Sequence, residues 1–352
     1  MPRRLVVAGT RKAALAEYEE PPLGPDEVRV RVEYASPKHG TELSVFRGED
    51  PFAADLYDKD WRIFLKRDQA AHEPGDNGQP VLGNQWVGVV AEKGQDVEGF
   101  RVGERVCGYG GIQETQVVRA VDNPRLLRMP DGMPWKNALC LDPAQFALAG
   151  VRDSGMRVGD RVAVFGLGAI GAIAAQMAKV SGASYVAAVD PIPKRREAAL
   201  RSGADAALDP TSQDVGLELK WATDRLGVDA VVETSGDERA LQQALRGLAY
   251  GGDIAFVGWA RVFGGSLDLG REAHFNGASI VFSRASSEPN RDHPRWDRER
   301  IVRSCWDMLA SGRIDCERVV DPVVPFAESP QGYEKFVDRH PESSVKLGVA
   351  FP

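Results

Sequence analysis

The residues with the plainest chemistry lie mid-chain in "VFGLGAIG", where Gly166, Gly168 and Gly171 are spaced G-x-G-x-x-G between two apolar runs. Glycine at the first position makes a tight turn, at the second lets the backbone approach a pyrophosphate, and at the third lets a helix pack on a strand. A helix opening at Ala169 and Ile170 then aims its unpaired N–H groups at that anion. The next apolar run, "YVAAVD", ends in an acid, Asp190, whose carboxylate would accept hydrogen bonds from ribose hydroxyls and repel a 2′-phosphate. The expected cofactor is therefore NAD. Lys194, Arg195 and Arg196 argue the other way, since cations there, Arg195 as a cofactor contact included, could neutralise such a phosphate, but as the exposed face of a helix they need no special role. A second stretch, "GNQWVGVV", sets two neutral amides, Asn84 and Gln85, at the start of a strand; neither exchanges a proton near neutral pH.

These residues need a scaffold, and the chain supplies two kinds. Up to about residue 150 the pattern is mostly β: "EVRVRVEYA" alternates Val28, Val30 and Val32 with charged residues, and short glycine-punctuated strands follow, suggesting a small barrel or sandwich. Between them residues 49–79 form a charged, aromatic insertion expected to be a substrate-facing lid or a helical excursion, with Tyr57, Trp61 and Phe64 as an apolar wall. From Arg161 strands and helices alternate: "RVAVFG", "AIGAIAAQMAKVSG", "YVAAVD", "PKRREAALRSG", then "DAVVET", "GDIAFVG" and "ASIVFS" with helices between. Such alternation requires a parallel, doubly wound sheet, so the fold class is α/β. The tail carries a long helix, "RWDRERIVRSCWDMLASG", a second one, "SPQGYEKFVDRH", and a closing strand, "SSVKLGVAF".

Composition bounds the function. At 352 residues, 43% apolar and 27% charged, the chain is globular and long enough for two domains. A net charge of −7 argues against nucleic acid or an acidic membrane as partner, and leaves a small-molecule substrate. No apolar run approaches a membrane span or a signal-peptide core, and Cys107, Cys140, Cys305 and Cys316 are scattered without a C-x-x-C pair. Reduced thiols and a cytoplasmic location are expected.

Taken together, "YASPKHGTELSVFRG", "PVLGNQWVGVV", "GFRVGERVCGYG", "LDPAQFALAGV", "GLGAIG", "VVETSG" and "SSVKLGVAF" resemble the medium-chain dehydrogenase/reductase family of zinc-type alcohol and polyol dehydrogenases, over nearly the whole length. The resemblance implies a GroES-like β-rich catalytic domain, 1–152 and 286–352, around an inserted Rossmann domain, 153–285. It also implies a substrate cleft between them and a homodimer or homotetramer built through "ASIVFS". Thr234, Ser235 and Gly236, with Val257 and Gly258, become neighbours of the nicotinamide half.

Members with catalytic zinc carry Cys-Gly-Thr/Ser-Asp and Gly-His-Glu where this chain has His39-Gly40-Thr41-Glu42 and Gly83-Asn84-Gln85. Carboxamides lack the charge and basicity that zinc selects, so catalytic zinc is not expected; the alternative is a weak metal site at His39 with Asp142 or Glu42. A general base must then take the hydroxyl proton, and His39 is the leading choice because imidazole titrates near neutrality. Thr41 occupies the relay position and Lys38 is an alternative acid, base or electrostatic stabiliser. Glu42 would orient His39 or an arginine. Asn84 and Gln85 would hold vicinal hydroxyls of a sugar, cyclitol or polyol. Asp142, otherwise a helix N-cap, and Trp61 would also meet that substrate. The resulting expectation is an NAD-dependent dehydrogenase of a secondary hydroxyl. The alternatives are a zinc-free enone or quinone reductase and a non-catalytic NAD-binding sensor.

Overall fold

Val28, Val30 and Val32 are fully buried or nearly so while Arg31 between them is exposed, and this period of two makes Glu27–Ser36 a strand with one face on a core. In the computed structural model, residues 1–49, 54–66, 79–259, 262–265 and 267–352 are described, Thr41 by its backbone alone. Contacts divide the chain into two units, Met1–Arg128 with Val323–Pro341 and Leu347–Pro352, and Met129–Pro322 with Glu342–Lys346.

The first unit is β-rich. A seven-stranded sheet runs Val320–Pro325, Lys346–Ala350, Glu27–Ser36, Gln85–Lys93, Arg105–Tyr109 and Leu127–Arg128, with Thr115–Arg119 also paired to Glu27–Ser36. Its apolar side forms a core around Trp86, Phe46, Leu82, Ile112, Phe326 and Tyr333. The last helix is α only over Ser329–Tyr333 and widens to π geometry over Glu334–Arg339. Where the insertion is described it is neither helix nor open loop: Asp55–Asp58 and Ile63–Lys66 pair as an antiparallel hairpin. The sequence hid this strand pair because most of its apolar side chains, Leu56, Tyr57, Ile63, Phe64 and Leu65, are exposed, so neither face carries the alternation that marks a half-buried strand. The remainder of the insertion, 50–53 and 67–78, lies outside the described residues.

The second unit is a parallel six-stranded sheet, ordered Ala206–Leu208, Tyr185–Val189, Arg161–Phe165, Val228–Glu233, Leu248–Phe256, Ser279–Phe282. Val162, Ala163, Val164 and Phe165 are all at most 1% exposed, the continuous apolar run of a strand covered on both faces. Helices Leu141–Asp153 and Arg298–Ala310 group with this unit, although the expected division placed both with the β-rich half. A buried amide helps hold the second of these there: Asn137 donates to Leu309 O (2.9 Å) and Ile314 O (3.1 Å) and accepts from Cys316 N–H (2.9 Å). Among the described residues no helix is long and apolar enough to cross a membrane.

Candidate functional site

The glycine loop is built as its spacing demands. Gly166 has φ +81°, and a Cβ on it would lie 2.8 Å from Ser235 N; a Cβ on Gly171 would lie 1.7 Å from Gly166 O. Gly168 caps the helix Ala169–Val180, and a Cβ there would meet nothing within 4 Å, which leaves the approach to the helix N-terminus open. The first-turn N–H groups of that helix have no intrahelical partner and suit a pyrophosphate, so the residues present fit a dinucleotide.

Asp190 is 3% exposed and accepts from Leu167 N–H (2.6 Å) and Ile192 N–H (2.8 Å), holding the glycine loop and its own turn together. The expected basic helix face is corrected here, because each cation is committed within the unit. Lys194 pairs with Asp321 (2.7 Å), Arg195 lies 3.8 Å from Asp190 and donates to Ser344 O (3.1 Å), and Arg196 reaches Asp190 O (2.7 Å) and Asp209 (3.0 Å). Burial pushes the Arg195 guanidinium down, and the Asp190 carboxylate opposes that shift. Arg195 is thus placed beside Asp190.

Thr234 donates its hydroxyl to Gly166 O (2.7 Å), and its N–H meets Phe165 O (2.8 Å). Val257 and Gly258 donate their N–H groups to Glu233 O (2.7 and 3.0 Å). Sequence reading passed over Glu233 as the end of a strand. The structure makes its fully buried side chain the acceptor for Ser235 N–H (2.8 Å), the Ser235 hydroxyl and Gly236 N–H (3.0 Å). The available signal was a carboxylate ending an otherwise apolar run, directly before Thr-Ser-Gly.

In the first unit Thr41 opens the short helix Thr41–Phe46, and Glu42 lies in its first turn. Glu42 accepts from Gly83 N–H (2.9 Å) and, more weakly, Lys38 N–H (3.4 Å), so its described bonds join the two motifs through backbone. Tyr333, stacked edge-on against Phe46 at 4.8 Å, is pushed up by burial and then by the Glu42 carboxylate. His39 is half-buried, and its Nε2 accepts from Leu347 N–H (3.1 Å). That bond places the proton of the neutral ring on Nδ1, a donor position. His39 so held has no free lone pair for the hydroxyl proton, which changes the role expected of it.

The two amides separate. Gln85 is 0% exposed with Nε2 3.9 Å from Cys107 Sγ, so its side chain faces the interior and not an open substrate surface, a correction to its expected role. Asn84 is partly exposed, its backbone tied to Ser36 O (3.0 Å) and Gly110 N–H (3.1 Å), and its buried Nδ2 has no partner among the described residues. With an interior carboxamide at 85 and the Nε2 lone pair of His39 occupied, this donor set does not fit zinc. Among the described residues no three His, Cys, Asp or Glu side chains gather as a metal-binding group.

Asp142 is not the N-cap of its helix, Leu141–Asp153; Cys140 holds that position, and Asp142 sits partly exposed in the first turn, where a carboxylate favours the helix dipole. Trp61 is 76% exposed at the tip of the hairpin, where Asp58 accepts its N–H (2.8 Å). Behind it the Tyr57 and Phe64 rings lie 5.2 Å apart.

Known proteins extend this picture. Residues 24–131 match the Alcohol dehydrogenase GroES-like domain and residues 169–294 the Zinc-binding dehydrogenase family. The chain is 52% identical over 349 residues to D-guloside 3-dehydrogenase of Escherichia coli (strain K12), covering 99% of this chain and 100% of that one. Among solved structures it is similar to 2R,3R-butanediol dehydrogenase from Bacillus subtilis (TM-score 0.76, 21% identity, 99% of each chain). A zinc-binding dehydrogenase from Sinorhizobium meliloti 1021 bound to NADP also matches (TM-score 0.75, 20% identity, 99% of each chain).

Proposed function

The chain belongs to the zinc-type medium-chain dehydrogenase family, and on that premise we propose that it oxidises a secondary hydroxyl of a sugar glycoside with NAD, at C3 of a D-guloside or a close relative, without catalytic zinc. It is an oxidoreductase acting on CH–OH, which removes the sensor alternative. The end-to-end identity of 52% with a D-guloside 3-dehydrogenase carries the reading and counts against an enone reductase.

When bound, the nicotinamide supplies the hydride acceptor, and the remaining work falls to side chains. Asp190, 3% exposed at the end of its strand, accepts the ribose hydroxyls and disfavours a 2′-phosphate, which supports NAD over NADP. Asn84 donates its unpartnered Nδ2 to a sugar hydroxyl and the exposed Trp61 offers an apolar face; Asp142 is a further candidate for a substrate hydroxyl. His39, its Nε2 engaged by Leu347 N–H, donates from Nδ1 to the oxygen losing its proton and stabilises the charge that develops there. Lys38 is then the general base.

A homodimer forms through the outer edge of Ser279–Phe282, the last strand of its sheet, beside Phe275 and Phe282, which are 78% and 79% exposed. The four buried free thiols accord with a cytoplasmic enzyme.

The test is turnover of methyl D-guloside with NAD+ and with NADP+, with the product's keto position read by NMR. Oxidation at C3 with NAD+ preferred is expected. Turnover with NADP+ alone, or inactivity toward a panel of hexosides, defeats the reading.

A further inference from the structure

Glu233 is a carboxylate at 0% exposure, and among the described residues no cation forms a salt bridge with it. A buried charge of this kind is costly unless hydrogen bonds satisfy it. Its partners are the Ser235 and Gly236 N–H groups and the Ser235 hydroxyl, while burial pushes the carboxyl up against them. The adjoining turn is fitted around it: a Cβ on Gly258 would lie 2.3 Å from Gly236 N and 3.0 Å from Glu233 Oε2. The strand that Glu233 ends is hydrogen-bonded on one side to Arg161–Phe165, which feeds the glycine loop, and on the other to Leu248–Phe256, which feeds Val257 and Gly258. One carboxylate therefore lies beneath both turns at the carboxyl end of the sheet, where ligands of open α/β sheets bind.

We propose that Glu233 is the positioning residue of the dinucleotide site: its side chain fixes the Ser235–Gly236 turn, against which Gly258 packs, and its charge favours the cationic oxidised nicotinamide over the neutral reduced one. This rests on the proposed use of NAD. The charge asymmetry follows from the chemistry, since the oxidised ring carries a positive charge that reduction removes. A nearby anion in a partly desolvated site then discriminates the two by about tenfold.

Two variants separate charge from scaffold. In Glu233→Gln the carboxamide oxygen, set at Oε1, keeps the Ser235 bonds and one from Gly236 (3.2 Å), but its NH2 replaces the Oε2 acceptor of Gly236 N–H (3.0 Å), so the charge is lost at some cost in stability, whereas Glu233→Ala removes charge and all side-chain bonds. NAD+ and NADH affinities are measured by fluorescence titration and folding by thermal melting. The expected result is that Glu233→Gln lowers the ratio of NADH to NAD+ dissociation constants by about tenfold in a protein that still melts cooperatively, at a reduced temperature. Glu233→Ala should weaken both ligands. An unchanged ratio in folded Glu233→Gln overturns the electrostatic part, and unchanged affinities in folded Glu233→Ala overturn the positioning part. Absence of NAD+ and NADH binding to the unaltered protein, in contrast, defeats the proposed function along with this inference.

Discussion

Asp190→Asn is nearly isosteric and isolates what the carboxylate does for the glycine loop. Both carboxylate oxygens are in use, Oδ2 by Leu167 N–H at 2.6 Å and Oδ1 by Ile192 N–H at 2.8 Å, in a side chain 3% exposed. A carboxamide has one oxygen and one NH2, so whichever way it turns, one backbone N–H faces another donor. Leaving a buried donor unmet costs ~1–3 kcal/mol, and the surviving bond loses the strength that a charged acceptor gave it, about 1 kcal/mol more. The sum is about 3 kcal/mol, which at ~3 kcal/mol/M of urea lowers the unfolding midpoint by about 1 M. Trp135, Trp221, Trp259, Trp296 and Trp306 all lie in the second unit, so tryptophan fluorescence follows the transition there. The same substitution removes the charge that would repel a 2′-phosphate and should move the NAD+ to NADP+ affinity ratio by about tenfold toward NADP+. A midpoint equal to that of the unaltered protein would refute the account of the loop, whatever happened to cofactor choice.

His39→Ala should lower turnover far more than NAD+ affinity while keeping the acidic limb of the pH–rate profile, since the ring acts as donor; loss of that limb would restore His39 as the base. Lys38→Ala should abolish turnover while leaving NAD+ affinity intact, and retained turnover would remove Lys38 as the base. Asp237 caps the helix Glu238–Gly247 by accepting Arg239 N–H (2.8 Å), and the hydrogen bond from the Arg239 side chain, ahead of other causes, holds its carboxyl below the usual range. A depressed carboxylate contributes stability above its unfolded pKa and loses it as pH falls through the folded one. Asp237→Ala should therefore cost about 1 kcal/mol at neutral pH and much less in acid, by urea midpoints at both. Treatment with a chelator should leave turnover intact and elemental analysis should find no stoichiometric zinc; loss of activity restored by zinc would overturn the metal-free mechanism.

The strand–helix half was readable because its physics is local. Val162 to Phe165 form one unbroken apolar run, and the glycines announce a turn that no other residue could make. Asp190 was readable as a position but not in its grip on Leu167, which depends on how a loop distant in sequence folds back. Glu233 was missed for the same reason, since its partners, the Ser235 and Gly236 N–H groups and the Ser235 hydroxyl, are brought to it only once the turn is formed. His39 was visible as an imidazole, yet its tautomer is set by Leu347 near the opposite end of the chain. The substituted residues at 84 and 85 were legible as a change of donor type, but which of them faces outward depends on sheet packing that one strand's sequence does not carry.

The hydroxyl of Thr234 on Gly166 O and the contact of Gly258 with Gly236 bind three loops, from three separate strands, into one piece. For an engineer this means that positions 166, 234, 236 and 258 form a single epistatic set. Altering cofactor preference one loop at a time will yield penalties that do not add, and the productive changes will be those that replace the loops together.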